Sequence, residues 1–433
     1  MNEHIDDARE ATCPACGYHI AVAFFDGGVQ PLATLGWPAN AEAALTMTRL
    51  PVNFVRCVEC GHVYNPDFQY AQVPYTDKPN LMFNRGTRWS EFVTETVDNI
   101  LGMVPERPVV VEIGHGDASL LAAMSSRCSR GRFVGFDPHG ARGTHKNVEL
   151  RAELFNPGEH LAELAPDIVV SRHVLEHLAN PLAFLEHIAF AAARLHRAQL
   201  CYFEVPCIDR ALETRRTVDF YYEHNSQFTT ESFKRMLGRC GAGLSSISHG
   251  YDGEVIFAYV SLGAPRRHLA SAVEAREFRV ATHEAAAGIR RKLKELLASG
   301  LSIAIWGGTG KSAAFINRFG LDAARFPIVV DSDAAKAGTF VPGTGQEIRS
   351  ASWLKDRPVD VVIIPPQWRA RDIIAEMERT GIRFDRVLIE HQGELIDFFT
   401  DPHPYLEYKP RQARGRSREA HRGTPASALN AVH

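Results

Sequence analysis

Two stretches of the chain alternate short apolar strands with helical segments, and this alternation restricts the fold more than any other feature. The first stretch begins at Pro108 and contains VVVEI, FVGFD, DIVVS and LCYFEV; the second contains SIAIWG, PIVVD, DVVIIPP and RVLIE. Strands that alternate with helices favour a mainly parallel sheet with helices on both faces. The sequence therefore predicts two α/β domains, with ligand sites at the carboxyl ends of their strands.

Four cysteines ahead of these domains form two C-x-x-C pairs, Cys13 with Cys16 and Cys57 with Cys60. Each pair lies in a turn beside a glycine, and four thiolates from two such turns can complete the tetrahedral shell of a zinc ion. The long gap between the pairs implies an inserted segment around residues 30–51. Redox dithiols or disulfides are the alternative, but no thioredoxin-like unit lies beside the pairs, so zinc is favoured.

Composition and charge favour an ordinary globular protein of a reducing compartment. The other four cysteines are scattered singly, and the net charge is only -3. No apolar signal region opens the chain, and no segment has the length of a membrane span. We therefore expect a cytoplasmic monomer or homodimer that has neither nucleic acid nor membrane as a partner.

The pattern along the chain predicts five parts. They are a cysteine lobe (1–70), a first α/β domain (71–265), a connecting helix (266–300), a second α/β domain (301–408) and a tail (409–433). Gly300 is placed as a helix stop. The tail is basic and has no apolar periodicity, so we expect it to be disordered.

A glycine turn follows the first strand of the first α/β domain. Glu112 precedes Gly114-His115-Gly116, where the backbone can approach a ligand without interference from Cβ atoms. Asp137 ends the next strand, where a carboxylate can accept both hydroxyl hydrogens of a ribose. A dinucleotide would prefer a third glycine, but that position is Ser119; S-adenosylmethionine has no diphosphate and needs less.

The turn and the segment DIVVSRHVLEHLANPLAFL resemble class I S-adenosylmethionine-dependent methyltransferases, which have a Rossmann-like fold. This resemblance implies a set of cofactor contacts at Glu112 and Gly114, Gly116, Asp137, Leu154 and Phe155. The two glycines would face the methionine part, Asp137 the ribose, and Leu154 with Phe155 the adenine.

The three-part organisation is more specific than that superfamily. A cysteine lobe, a central domain containing FYYEHNSQFT and a second Rossmann-like domain resemble the three-domain, zinc-containing sugar C-methyltransferases, which act on nucleotide-linked deoxysugars. The resemblance implies a zinc lobe that helps bind substrate, a central domain that binds the methyl donor, and a last domain that helps clamp the nucleotide sugar. The family's aromatic-x-Glu-His signature is matched by Tyr221, Tyr222, Glu223 and His224.

Methylation of carbon next to a carbonyl requires removal of a proton, so a keto sugar needs a base near neutral pKa and donors for the enolate oxygen. The resemblance assigns His224 as the base, with Glu223 orienting or tuning it. Tyr221 and Tyr75 are candidates to hydrogen-bond the sugar or the oxyanion, and His177 and Tyr222 complete the set. The structural alternative is that His224 satisfies a loop carbonyl and that the two tyrosines are half-buried strand aromatics.

The segment IWGGTGKSAAF in the second α/β domain is not a phosphate loop of the Walker type, because Ile305 stands where the first glycine belongs. Its glycines suit either a bound phosphate or tight packing. By resemblance, Gly308, Gly310 and Lys311 are candidates to bind the diphosphate of the substrate.

Three rival functions stay open at this point. The same scaffold could methylate another acceptor, because fold does not set acceptor identity. A dinucleotide-dependent oxidoreductase would use the second α/β domain, but the diphosphate fingerprint is missing. A nucleic-acid adaptor would use the cysteine lobe, which lacks an interleaved basic and aromatic surface.

Overall fold

The computed structural model describes residues 8–35, 37–74, 86–241 and 243–406. These residues divide into an N-terminal unit, which ends at Val273, and a C-terminal unit, which begins at Glu274. Tyr75 and the predicted tail (409–433) lie outside the described residues. None of the helices in the described ranges combines the length and the apolar run that crossing a membrane requires.

The N-terminal unit contains two sheets and the helices around them. Its strands are β1 (Ala8–Glu10), β2 (Ile20–Gln30), β3 (Leu50–Cys57), β4 (Val63–Tyr64), β5 (Val109–Ile113), β6 (Arg132–Phe136), β7 (Gly143–His145), β8 (Val148–Arg151), β9 (Ile168–Arg172), β10 (Gln199–Pro206), β11 (Ser226–Gln227), β12 (Gly243–Gly250) and β13 (Val255–Leu262). Its helices are α1 (Ala41–Leu45), α2 (Thr87–Gly102), α3 (Ser119–Arg127), α4 (Pro157–Leu164), α5 (Pro181–Arg194), α6 (Asp209–Thr214) and α7 (Thr230–Arg239).

The larger sheet is eight-stranded, in the order β12-β13-β10-β9-β5-β6-β8-β7. Its central strands run parallel, β5 between β6 and β9, and every residue of β9 is buried. Burial on both faces explains why these strands read as continuous apolar runs. The predicted α/β class is confirmed, and β12 and β13 form an antiparallel pair at one edge of this sheet.

The smaller sheet belongs to the cysteine lobe and has the order β1-β2-β3-β4-β11. Its last strand comes from far along the chain: β11 pairs antiparallel with β4, Ser226 opposite Tyr64 and Gln227 opposite Val63. The lobe and the larger sheet also share one hydrophobic core, in which Cys13 and Val111 both take part. The segment 221–224 therefore leads directly into a strand of the lobe.

Glu223 joins this segment to the loop after β2. Its buried carboxylate accepts hydrogen bonds from the backbone N–H groups of Ala33 (3.1 Å), Thr34 (2.7 Å) and Leu35 (3.1 Å). Loop amides from a distant part of the chain thus reach the carboxylate, which suits it well as a charged acceptor. The predicted role of Glu223 in orienting or tuning His224 stays a prediction.

Tyr222 packs in the core of the lobe, and its predicted catalytic role stays a prediction. It is 1% exposed and lies in a core cluster of the lobe together with Phe54 and Phe220. Its hydroxyl accepts a hydrogen bond from the backbone N–H of Gln69 at 2.8 Å. Tyr222 therefore anchors the segment 221–224 on the lobe.

The C-terminal unit contains the second sheet of the α/β type. Its strands are β14 (Ile303–Trp306), β15 (Ile328–Asp331), β16 (Ile348–Ser350), β17 (Val359–Ile363), β18 (Phe384–His391) and β19 (Glu394–Asp397). Its helices are α8 (Arg266–Ala298), which contains the boundary between the units, α9 (Lys311–Phe319), α10 (Trp353–Asp356) and α11 (Ala370–Thr380). The sheet order is β16-β15-β14-β17-β18-β19, parallel except for the β18–β19 pair.

The role of Glu223 can be tested by hydrogen exchange at the loop that it holds. Glu223→Gln removes the charge and one acceptor oxygen, so we expect the amides of residues 33–35 to lose protection by roughly tenfold or more, since hydrogen bonds to charged groups contribute about 1.5–3 kcal/mol. Glu213→Gln, at an exposed carboxylate of α6, is the matched control. Unchanged protection of residues 33–35 in the Glu223 variant would contradict this role.

Candidate active site

A cavity of about 1070 Å³ lies in the N-terminal unit at the carboxyl ends of β5 and β9. Its lining includes the glycine turn after β5, the start of α2, the residues after β9, and the segment 221–224. Thr34, in the loop that Glu223 holds, lines it as well. The cavity therefore brings the predicted cofactor turn and the predicted catalytic segment to one place.

The glycine turn needs its glycines for two separate reasons. Gly114 has φ +74°, and a Cβ atom there would meet Cγ2 of Val174 at 2.4 Å. Gly116 has φ +54°, and its N–H donates to Oδ2 of Asp137 at 3.1 Å. The turn thus presents bare backbone to the cavity. Asp137, directly after β6, contacts the turn but is not among the described residues that line the cavity.

The two residues predicted to contact adenine lie elsewhere. Leu154 is 69% exposed, and Phe155 is buried with its ring edge-on to Phe136 at 5.2 Å. Neither is among the described residues that line the cavity. Their contact with adenine stays a prediction.

Tyr221, His177 and His224 form a compact cluster on the cavity wall. The ring centroids of Tyr221 and His224 are 4.4 Å apart, and those of His177 and His224 are 4.7 Å apart. Nδ1 of His177 lies 2.9 Å from the carbonyl oxygen of Glu223. Because a carbonyl can only accept, Nδ1 donates this hydrogen bond, which orients the His177 ring.

Burial sets the protonation of this cluster. Burial, together with the neighbouring His177 and His173, holds the pKa of His224 well below its ordinary value. Burial raises the pKa of Tyr221 above its ordinary value, although a hydrogen bond with Thr34 opposes the shift. At neutral pH the cluster therefore contains a phenol able to donate a hydrogen bond and an unprotonated imidazole. The lowered pKa leaves this imidazole free to accept a proton but makes it a weaker base than the near-neutral base expected from the sequence.

Glu176 belongs to the same cluster and was not predicted. It is 1% exposed, lines the cavity, and can bring a carboxylate oxygen within 4.8 Å of ring nitrogens of His177 and His224. Among the described residues its oxygens have no directed hydrogen bond, and Nδ1 of His173 lies 3.5 Å away. The sequence could have indicated this residue, because Glu176 directly precedes the predicted site residue His177 just beyond the carboxyl end of β9.

The four predicted metal-ligand cysteines converge in the lobe. Sγ atoms of Cys13 and Cys60 are 3.6 Å apart, as are those of Cys16 and Cys57, and all four thiols are buried. A disulfide would require about 2.05 Å. Tetrahedral zinc with bonds of about 2.3 Å places sulfurs about 3.8 Å apart. The cluster thus has the donor set and spacing to hold zinc.

The glycine turn of the C-terminal unit is tightly packed. A Cβ atom on Gly308 would meet Cδ1 of Ile348 at 2.3 Å, and the Gly308 N–H lies 3.3 Å from Oδ2 of Asp331. Gly310 has φ +58° and precedes α9, while Nζ of Lys311 lies 3.9 Å from the ring centroid of Trp368. Packing accounts for Gly308, and binding of substrate by Gly308, Gly310 and Lys311 stays a prediction.

Comparison with known proteins matches both α/β domains. Residues 84–246 match a family described as methyltransferase domain, and residues 266–387 match a family described as C-methyltransferase C-terminal domain. C-methyltransferase NovU from Streptomyces niveus is 25% identical over 363 residues, which cover 77% of this chain and 84% of the relative.

Similar solved structures cover less than half of this chain. A SAM dependent methyltransferase from Aquifex aeolicus is 15% identical, with a TM-score of 0.31, covering 45% of this chain and 99% of its own. An O-methyltransferase family protein from Burkholderia thailandensis is 12% identical, with a TM-score of 0.31, covering 41% of this chain and 57% of its own. The two family matches and this relative, together with the glycine turn, support a class I S-adenosylmethionine-dependent C-methyltransferase.

Proposed function

We propose that the protein methylates a carbon next to the carbonyl of a nucleotide-linked keto-deoxysugar, through an enolate formed by His224. The observation that carries this proposal is the single cavity shared by the glycine turn and the Tyr221–His224 pair. Its volume of about 1070 Å³ exceeds the range of about 300–1,000 Å³ typical of pockets for one small ligand. It has room for a methyl donor and a sugar ring together.

The side chains on the cavity wall fit the two halves of this chemistry. Neutral His224 accepts the proton from the carbon next to the carbonyl, and the C–H electron pair forms the enolate. Tyr221 donates a hydrogen bond to the enolate oxygen, and His177 flanks the base in an orientation set by the Glu223 carbonyl. Bound S-adenosylmethionine supplies an electrophilic methyl group on its sulfonium. Holding the enolate carbon against that methyl lowers the barrier through orientation.

The proposal that the acceptor is a sugar nucleotide rests on the three-part organisation of the chain. The cysteine lobe, the central methyltransferase domain and the C-terminal domain follow one another as in the sugar C-methyltransferases that the sequence resembles. Another enolisable ketone on the same scaffold is the rival acceptor. A panel of keto-sugar nucleotides and simple ketones, each incubated with labelled methyl donor, distinguishes them.

The base can be tested separately from methyl transfer. With S-adenosylhomocysteine and a keto-sugar nucleotide in D₂O, the wild-type protein is expected to exchange the proton next to the carbonyl for deuterium, as read by NMR. His224→Asn should slow this exchange by ~10²–10⁴-fold while binding S-adenosylhomocysteine normally. His196→Asn, at an exposed left-handed position after α5, is the control. Exchange at the wild-type rate in His224→Asn would remove His224 as the base.

Two adjacent tyrosines provide a matched pair of substitutions. Tyr221→Phe removes the donor to the oxyanion, so we expect kcat to fall by roughly 10²-fold or more, with little change in stability. Tyr222→Phe leaves the Gln69 amide unpaired, so we expect the free energy of unfolding to fall by about 1–3 kcal/mol while kcat of the folded protein is kept. Steady-state kinetics and urea unfolding measure both, and the reverse pattern would contradict this assignment.

We also propose that the four cysteines hold one structural zinc ion. Cys57 ends β3, and the second knuckle leads directly into β4, the partner of β11. His62, fully buried after this knuckle, lies against Phe228 with ring centroids 4.8 Å apart. The ion would thus stiffen the turn on which the position of the segment 221–224 depends.

Metal content and removal test this proposal. We expect one zinc per chain by elemental analysis, and its loss by chelation or in Cys57→Ser should raise hydrogen exchange at β4 and β11 and lower turnover. Cys128→Ser, outside the cluster, should keep the ion. A purified protein that contains two disulfides by non-reducing mass spectrometry, and no zinc, would contradict it.

A further inference from the structure

Three side chains with different donor atoms converge at the antiparallel edge of the larger sheet. They are Cys207, directly after β10, Asp209, the first residue of α6, and His249 in β12. One ligand atom from each, a sulfur, a carboxylate oxygen and a ring nitrogen, lies within 4.8 Å of the other two. A mixed set of sulfur, nitrogen and oxygen donors suits a divalent cation of borderline softness such as Zn²⁺.

Backbone pairing brings two of these residues together. Strand β13 lies between β10 and β12, and its residue Val255 pairs with Pro206 on one side and with Gly250 on the other. Cys207 directly follows Pro206, and His249 directly precedes Gly250. Their side chains therefore meet across the end of β13. Because strand register fixes both positions, the donors are held more precisely than donors on loops would be.

The hydroxyl of Thr230, the first residue of α7, orients the other donors. Its oxygen lies 2.5 Å from Oδ2 of Asp209 and 2.8 Å from Nε2 of His249. A hydroxyl can donate one hydrogen bond and accept another, so it serves both neighbours at once. Asp209 also accepts from the Thr230 N–H, yet an ionised carboxylate has about four acceptor sites and keeps capacity for an ion. Hydrogen bonds from a neighbouring residue orient metal ligands in this way.

A separate pocket of about 330 Å³ opens beside His249 and gives a cation a route to the donors. Its described lining residues include three carboxylates, those of Glu91, Glu95 and Asp252, and one guanidinium, that of Arg88. An excess of negative charge along a pocket raises the local concentration of cations. His249 is itself exposed, so the donor cluster is accessible from this side.

We propose that Cys207, Asp209 and His249 bind one divalent cation such as Zn²⁺, with water in the fourth position. The thiol of Cys207 releases its proton to solvent as its sulfur binds, because the thiolate is the ligand. The ion ties the end of β10 to β12. Pro206 and Tyr251, which flank the cluster along the chain, both line the cavity, so the ion stiffens the cavity wall. This second metal site depends neither on the acceptor nor on the zinc proposed for the lobe.

Titration of the full-length protein with Co²⁺ tests the site, because the visible absorption of this ion reports its ligands. We expect the wild-type protein to bind one equivalent more than Cys207→Ala. The difference between their spectra should show the d–d bands of a four-coordinate ion and a thiolate charge-transfer band. The four-cysteine cluster is common to both proteins, so its absorption cancels. His249→Asn, at an exposed position, should lose the same equivalent.

Cys128→Ala, at a single cysteine outside both clusters, is the matched control and should keep the additional equivalent. Equal uptake of Co²⁺ by the wild-type protein and a folded Cys207→Ala variant would overturn the proposal. Equal uptake by the wild-type protein and His249→Asn would overturn it as well, and this comparison decides the matter if Cys207→Ala fails to fold. Neither variant alters the four cysteines of the lobe, so failure here leaves the zinc proposed there unaffected.

Discussion

The position of the proposed acid–base side chains depends on the short pairing between β11 and β4. These strands join only two residues each, but β11 follows the segment 221–224 directly. Asn225 reinforces the join, because its carbonyl accepts from the Asn65 N–H at 2.9 Å and its side-chain amide donates to the Leu178 carbonyl at 3.1 Å. The cysteine lobe therefore contributes to the architecture of the cavity, and a zinc ion held by its four cysteines would act on the proposed chemistry through backbone position.

Burial of charge is the second constraint on the site. The carboxyl edge of the larger sheet gathers Glu112, Arg172, His173, Glu176 and Glu204 in positions that are mostly closed to water. Buried charges are tolerated when they are paired, as Arg172 and His173 are with Glu204. Glu112 and Glu176 keep oxygens without directed hydrogen bonds. Incomplete pairing of this kind is concentrated at functional sites, where a ligand completes it.

The parts of the molecule that the sequence predicts well are those encoded by local pattern. The apolar runs VVVEI and DIVVS form the central strands β5 and β9. A strand buried on both faces has consecutive apolar residues, and this pattern can be recognised in the sequence. The turn at Gly114 and Gly116 is readable because only glycine tolerates its backbone. The two cysteine pairs converge as their spacing implies.

The parts that the sequence could not supply depend on contacts between distant residues. The two-residue strand β11 is too short to show an alternating pattern, so the sequence could not predict that it pairs with a strand of the lobe. Glu223 and Tyr222 match a family signature, but their partners lie near residues 33–35 and at Gln69, and only the folded chain shows these contacts. The pairing of Arg172 with Glu204 likewise arises between adjacent strands.

The central claim is that one cavity serves both the methyl donor and the base, and a crystal structure with S-adenosylhomocysteine bound tests it most directly. We predict that the sulfur lies in the cavity beside Gly114 and faces the imidazole of His224 across an open space wide enough for one sugar ring. A ligand bound outside this cavity, or a protein side chain that separates its sulfur from His224, would contradict the account.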